Sequence, residues 1–453
     1  MKKHALKIFL IVTIAGLIAV GLVLLKKKNG HDFNVILISI DTLRADHLGC
    51  YKYNRETSPS IDRFRNDSVL FRRCMAQSTS TLASHASMLT SLIPSHHGAF
   101  FTRSQPLPGN IRTMAELLKK KNYRTVSFND GGQIAPQFGL NQGFDKYESM
   151  NPKNKNYDLV FSRVVNKTIQ WLDKQPGSEK FFLFLHTYET HHPYTPKKKY
   201  LKRFESNYNG NLPGHISVEL IKRINKGEVK INEEDKKHII NTYDAEIRSM
   251  DDSFGRLMDV LKKKKLYDNT LIIFTSDHGE EFGEHGIWAT HSHTLFNEQL
   301  HVPLIMKLPM SKFALTKVNH MVSSIDILPT VLHLLDKKIP AEFDGSSLVP
   351  LMKGRKPGAA MFVVSQRDMP KTYERKYWSI MNRKWKLYDS KLYDLLNDPG
   401  ESVDVSASNK NLKKKLEKSA IFYIKKQKRR LSTKKVKMDK ELKKKLKSLG
   451  YLN

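Results

Sequence analysis

Of the 453 residues, 40% are hydrophobic, ordinary for a globular protein, but the formal net charge is +32. The length provides for one large catalytic domain with a smaller companion and a sizeable core. Such a positive field favours anionic partners (lipid headgroups, polyanionic glycans, nucleic acid, or phosphate and sulfate esters) unless it serves solubility in a salty habitat. No recognisable nucleic-acid reader module accompanies the charge, so no nucleic acid is expected. Only Cys50 and Cys74 are present, which excludes a disulfide framework; they form either one bridge or two buried thiols.

Ile8 to Leu25 is an unbroken run of 18 apolar and small residues between Lys7 and Lys26-Lys27-Lys28. It sits at the short end of a transmembrane helix, is longer than a usual signal-peptide core, and has no small-x-small cleavage site after it. The expectation is a short flank (1–7), an uncleaved transmembrane anchor (8–25) and a linker (26–33). Lysines on both sides leave the positive-inside rule nearly silent about orientation.

Asn34 to Ile40 reads as the first buried strand, ending in Asp41-Thr42-Leu43-Arg44. An acid at the end of a central strand is either a cap or a metal ligand, and Arg44 is placed to meet an anion. In Ser78 to Ser91, hydroxyls precede Ala, Met and Leu at helical spacing, so a helix starts near Thr81. Ser80 or Thr81 there is either a plain N-cap or a hydroxyl nucleophile at an anion-binding helix start beside a metal. Tyr123 to Phe128 and Phe181 to His186 read as further strands. The loop Tyr188 to Pro196 carries His191 and His192, better candidates for substrate contacts than core histidines would be.

Asn241 to Leu261 spaces its apolar residues as a covering helix. Asn269 to Phe274 then forms a strand that must stop at Thr275-Ser276-Asp277-His278-Gly279-Glu280. A carboxylate and an imidazole at that carboxyl end are a ready pair of ligands for a divalent metal. Trp288, His291, His293 and the strand Val302 to Met306 follow. A catalytic region of 34–349 gives way to a smaller subdomain (350–408) and a basic tail (409–453). In the tail Leu412, Leu416, Ile421, Ile424 and Leu431 form a thin apolar stripe, either a solvated helix face or a basic amphipathic helix on an anionic membrane.

Together these pieces resemble the sulfatase family of the alkaline phosphatase superfamily, from about Asn34 to Glu401. The matching stretches are the strand ending in Asp41, Thr81–Thr90, His191-His192-Pro193-Tyr194, Ser276-Asp277-His278-Gly279-Glu280, and Leu392-Tyr393-Asp394 with Asp398-Pro399-Gly400-Glu401. Leu446 to Leu452 resembles a common ending of such proteins. The resemblance implies an α/β fold: an alkaline-phosphatase-like central mixed sheet sandwiched by helices, with a smaller C-terminal α+β subdomain, here behind one N-terminal transmembrane helix. It puts Asp41, Asp277 and His278 at metal-ligand positions, and His191 and His293 near the substrate's anionic group or leaving oxygen.

The departures are as informative. A typical sulfatase starts its signature with Cys or Ser, which becomes formylglycine, followed by Pro and Arg. Here Thr81, Ala83 and His85 stand in those places, and threonine cannot become formylglycine. Thr42 replaces the usual second acid beside Asp41. The second sulfatase signature is missing after Tyr123-Arg124-Thr125. In these respects the chain is more similar to phospho-transferring members such as lipoteichoic acid synthases and phosphoethanolamine transferases. Those carry several transmembrane helices.

The expected cofactor is a divalent metal ion (Mn, Zn or Ca) on Asp41, Thr81, Asp277 and His278. The expected catalytic residues are Thr81, His191 and His293, with Arg44, His85 and His291 as substrate contacts. The expected partners are an anionic ester, drawn from an envelope glycan or lipid, and the membrane itself, with the catalytic domain periplasmic or extracellular. Three functions fit: a hydrolase of sulfate or phosphate esters, a phospho-headgroup transferase, and an inactive polyanion-binding protein.

Overall fold

The protein is described by a computed structural model covering residues 33–150, 160–175, 179–355, 362–368, 374–427 and 435–452. The expected anchor at 8–25 lies outside the described residues. Among the described residues, no helix is long and apolar enough to cross a membrane.

The centre is a strand, β1 (Asn34–Ile40), whose seven residues are all buried. Its alternate side chains enter different cores: Val35 and Leu37 face one, Ile36, Ile38 and Ile40 the other. A strand covered on both faces must be apolar throughout, which is why it is continuous in the sequence rather than alternating. Around it runs an eight-stranded mixed sheet built also from β2 (Val69–Met75), β3 (Arg124–Asn129), β4 (Lys146–Ser149), β5 (Phe181–Thr187), β6 (Thr270–Ser276), β9 (His301–Lys307) and β10 (Lys317–Ser323), in the order β10-β2-β9-β6-β1-β5-β3-β4. A two-stranded ribbon, β7 (Glu281–Phe282) with β8 (Trp288–Thr290), lies between β6 and β9 in the chain.

Strand β1 pairs in parallel with β5 and β6, Ile40 lying opposite Thr187 on one side and Ser276 on the other. The residues that follow these strands therefore emerge at one edge, the crevice where open α/β sheets place ligands. Helix α1 (Thr81–Thr90) covers one face, packing Leu82, Ala86 and Leu89 into the first core. Helices α2 (Val160–Leu172) and α3 (Glu233–Lys263) cover the other, where Tyr243, Ile247, Phe254 and Leu257 of α3 are buried. Each such side chain contributes roughly 1.5–3 kcal/mol by leaving water.

A four-stranded antiparallel sheet forms the smaller layer: β11 (Val363–Gln366), β12 (Trp378–Met381), β13 (Trp385–Tyr388) and β14 (Lys391–Asp394). The expected subdomain boundary at 408 and the expected tail at 409–453 need correction. Helix α4 (Lys410–Lys425) buries Leu416, Ala420 and Ile424 against the small sheet, and α5 (Lys440–Ser448) buries Leu442 and Leu446 in the main core. Most of the apolar stripe read for a membrane surface is thus spent within the fold; Ile421 is exposed, and Leu431 lies outside the described residues.

Candidate active site

Asp41, Asp277 and His278 arrive together because β1 and β6 are parallel neighbours, and their ligand atoms all lie within 4.8 Å of one another. Both carboxylates are fully buried. Asp277 Oδ1 accepts from the backbone N–H of His278 at 2.9 Å and of Thr42 at 3.3 Å. Its Oδ2, like Asp41 Oδ1, has no hydrogen-bond partner. A buried carboxylate oxygen without a partner costs about 1–3 kcal/mol or more, and a pair of them facing one imidazole is a donor set that could hold a cation. Burial and the Asp277 carboxylate hold Asp41 well above the usual carboxylate range. Burial pushes Asp277 the same way, but the imidazoles of His278, His85 and His186 outweigh it and keep its carboxyl low. His278 Nδ1 lies 3.0 Å from the Gly279 carbonyl, which fixes the proton there and leaves Nε2 as a lone pair. The residues present therefore fit a divalent metal.

Thr42 bends the chain away from β1 with φ of 57°, an unfavourable region for a β-branched residue. Its hydroxyl donates to the Thr190 carbonyl at 2.8 Å, so the threonine that stands in place of the second acid spends its proton on the backbone.

Thr81 is the first residue of α1, and its Oγ1 lies 3.4 Å from His278 Nε2. Neither Ser80 nor Thr81 caps the helix in the usual way. Instead Gln133 Oε1 accepts from the Leu82 N–H at 3.1 Å and from the Ser80 hydroxyl at 3.3 Å. The Thr81 hydroxyl is thereby left to face the metal-type residues. Ser84 Oγ ties the same helix to the Asp277 carbonyl at 2.7 Å.

On the other side stand His191, His192 and His291, whose candidate ligand atoms also lie within 4.8 Å of one another. Glu280 organises them: it lies 2.9 Å from His291 Nδ1 and 3.3 Å from His192 Nδ1, and accepts from Tyr194 Oη at 3.1 Å. Burial, then His192 and His291, push His191 well below the ordinary imidazole value; burial brings His291 down to about 4. The His191 and His291 imidazoles are therefore neutral at pH 7 and present lone pairs to whatever enters.

Two expected substrate contacts, Arg44 and His85, and one expected catalytic residue, His293, are placed elsewhere. Arg44 is committed to carboxylates: Nη1 meets Glu284 at 2.5 Å, and Nη2 and Nε meet Asp46 at 2.8 and 3.0 Å. His85, one turn beyond Thr81 on a fully buried helix, points at the sheet, with Nδ1 donating to the Thr81 carbonyl at 2.8 Å and Nε2 facing Ser39 Oγ at 2.9 Å. It supports the site from behind. His293 is exposed, two residues past His291, and stands outside the hydrogen-bonded cluster. His291 takes the position beside His191, with ring centroids 4.8 Å apart.

The structure adds residues that the sequence reading did not single out. His186, the penultimate residue of β5, reaches Asp41 Oδ2 at 3.3 Å from Nε2. Glu280 lay within a motif already marked, though without a role. Tyr451 had only its place in the ending Leu446 to Leu452, yet its hydroxyl touches Thr81.

Residues 33–337 match the sulfatase family, and residues 283–427 match the N-sulphoglucosamine sulphohydrolase C-terminal family. An N-acetylglucosamine-6-O-sulfatase from Bacteroides thetaiotaomicron is 22% identical over 478 aligned positions, covering 85% of this chain and 84% of that protein. Among solved structures, a phosphonate monoester hydrolase of Agrobacterium radiobacter superposes with a TM-score of 0.70 at 21% identity, covering 87% of this chain and 96% of the other. A protein solved with its substrate D-glucosamine-2-N,6-O-disulfate superposes with a TM-score of 0.71 at 20% identity, covering 87% and 98%. The family match spans most of the large sheet and the strand-end carboxylates, and the chain is a hydrolase belonging to the sulfatase family.

Proposed function

We propose that the chain hydrolyses sulfate or phosphate-type esters with Thr81 as the nucleophile, and that residues 8–25 anchor it in a membrane with the catalytic domain on the periplasmic or extracellular side. The observation that carries the first reading is the convergence of two unpartnered buried carboxylate oxygens and the His278 lone pair beside the Thr81 hydroxyl. Asp41, Asp277 and His278, with Thr81, would hold a divalent cation of the manganese, zinc or calcium type. When bound it supplies positive charge that lowers the cost of a Thr81 alkoxide and offsets charge on the ester.

Thr81 Oγ1 forms the bond to sulfur or phosphorus while the bond to the ester's bridging oxygen breaks. The proton that Thr81 gives up passes to a neutral imidazole on the facing side, and that imidazolium returns it to the leaving oxygen. His191 suits this role: it is neutral in the free pocket, and an anion beside it favours the protonated form. The amino-terminus of α1 directs its free N–H groups at the ester's remaining oxygens. Water then releases the covalent intermediate.

The similar proteins act on sulfated amino sugars and on phosphonate monoesters, so both ester chemistries belong in the assay. Thr81→Ala in the full chain is expected to lower turnover at least about a thousandfold while keeping the rise in unfolding temperature that added metal gives. Near-wild-type turnover would remove Thr81 as nucleophile. The threonine itself favours a second reading, transfer to an alcohol of an envelope lipid or glycan; product analysis with an added acceptor separates the two.

A further inference from the structure

The hydroxyl of Tyr451 sits at the meeting point of the groups assigned to the reaction. It lies 3.1 Å from Thr81 Oγ1, 2.9 Å from His191 Nε2 and 3.3 Å from His291 Nε2. We propose that Tyr451 is a catalytic residue whose hydroxyl donates a hydrogen bond to an oxygen of the bound ester, so that the segment after α5 completes the active site. This rests on the reading of Thr81 as the nucleophile.

His191 Nδ1 faces the His192 carbonyl, and His291 Nδ1 faces the Glu280 carboxylate. With their Nδ1 protons committed there, both Nε2 atoms are acceptors. Tyr451 carries a single proton, the two Nε2 atoms can only accept it, and the Thr81 hydroxyl can either accept or donate. Burial, then the nearby Asp41 and Tyr188, keep the phenol neutral. An incoming oxyanion competes for that proton on favourable terms, because a hydrogen bond to a charged acceptor is roughly twice as strong as one between neutral groups.

The alternative is a plug that must leave before substrate enters, and the docking of this segment argues against it. Asp439 caps α5 by accepting from the Leu442 N–H at 2.8 Å, and Leu442, Leu446 and Leu449 are buried. Lys445 is buried too, its ammonium 5.6 Å from the Tyr188 ring. The Tyr451 N–H donates back to the Leu446 carbonyl at 2.9 Å, closing the helix end. Gly450 has φ of 81°, and a Cβ there would stand 3.2 Å from His192 Nε2 and 3.1 Å from Val218 Cγ1. Only glycine lets the chain pass so close in that conformation. The ring itself packs 5.6 Å from that of Phe101 and 5.4 Å from that of His191. The position of the hydroxyl is set by the core, as for a wall of the site.

The test compares wild type with Tyr451→Phe in the full chain, which removes the hydroxyl and keeps the ring. Turnover of 4-nitrophenyl sulfate and 4-nitrophenyl phosphate, affinity for inorganic phosphate and sulfate by calorimetry, and unfolding temperature are read together. The expected result is a loss of about ten- to a hundredfold in kcat/KM and a parallel weakening of oxyanion binding, with the unfolding temperature unchanged. Turnover and oxyanion affinity both equal to wild type would make the residue packing only, and faster turnover by Tyr451→Phe would make it a plug; either overturns the proposal. If wild type turns over neither ester yet binds phosphate more tightly than Tyr451→Phe, the proposed function falls and the hydroxyl's role toward oxyanions stands. Failure of wild type to bind either oxyanion overturns both.

Discussion

Asp41 and Arg44 are three residues apart in the chain and both are buried, but the polar clusters around them are built in opposite ways. Around Arg44 every charge meets its complement: the guanidinium spans Asp46 and Glu284, and both carboxylates are lowered by it. Around Asp41 two acids face each other, each with an oxygen that meets no donor. The first cluster is finished as folded. The second leaves two carboxylate oxygens open to a cation, and that difference tells the two sets of charges apart more sharply than residue type does.

The largest break in this contrast comes from Asp277→Asn. The stabilisation by added metal should vanish, and turnover should fall by roughly three orders of magnitude. A variant that still gains stability from metal would take Asp277 out of the site.

A smaller effect follows from the neutral imidazoles. His291 has its value lowered from 6.5 to about 4 by burial. The unfolded chain therefore binds a proton that the folded one refuses between those values. The neutral ring's stability is fully present above 6.5 and is lost as pH falls toward 4. Up to about 3 kcal/mol goes this way. Urea unfolding between pH 7 and 4 should show the decline, and His291→Gln should flatten it. An unchanged slope in the variant would mean that another group is responsible.

The smallest change in activity belongs to the finished cluster. Arg44→Met should cost about 1 kcal/mol or less, because Asp46 and Glu284 are exposed to water when they lose their partner, and should alter KM for any ester less than about threefold. A large rise in KM would restore Arg44 to the substrate.

The strands were legible because β1, β5 and β6 are apolar on both faces, and Asp41 and Asp277 stood out because polar residues cannot continue such runs. Arg44 was misplaced because the glutamate that neutralises it is 240 positions away. His85 was misplaced because helical spacing does not say which face of a helix is covered when all of it is buried. His291 and His293 are two residues apart in a bend, where no periodicity assigns them sides. Tyr451 was hidden for a related reason: leucines at helical spacing among lysines describe a surface helix and a docked one equally well. Only the tertiary fold shows that Leu442 and Leu446 enter the main core and carry the tyrosine to Thr81.

The most direct test of the central claim is a metal titration of the full chain. The protein is stripped with a chelator and resupplied separately with manganese, zinc, calcium or magnesium. Each form is assayed against an aryl sulfate, a phosphate monoester, a phosphate diester and a phosphonate monoester. The account predicts turnover of at least one ester that disappears on stripping, returns with metal, and is absent from Thr81→Ala in every metal. Turnover that survives stripping, or that Thr81→Ala retains, would contradict it.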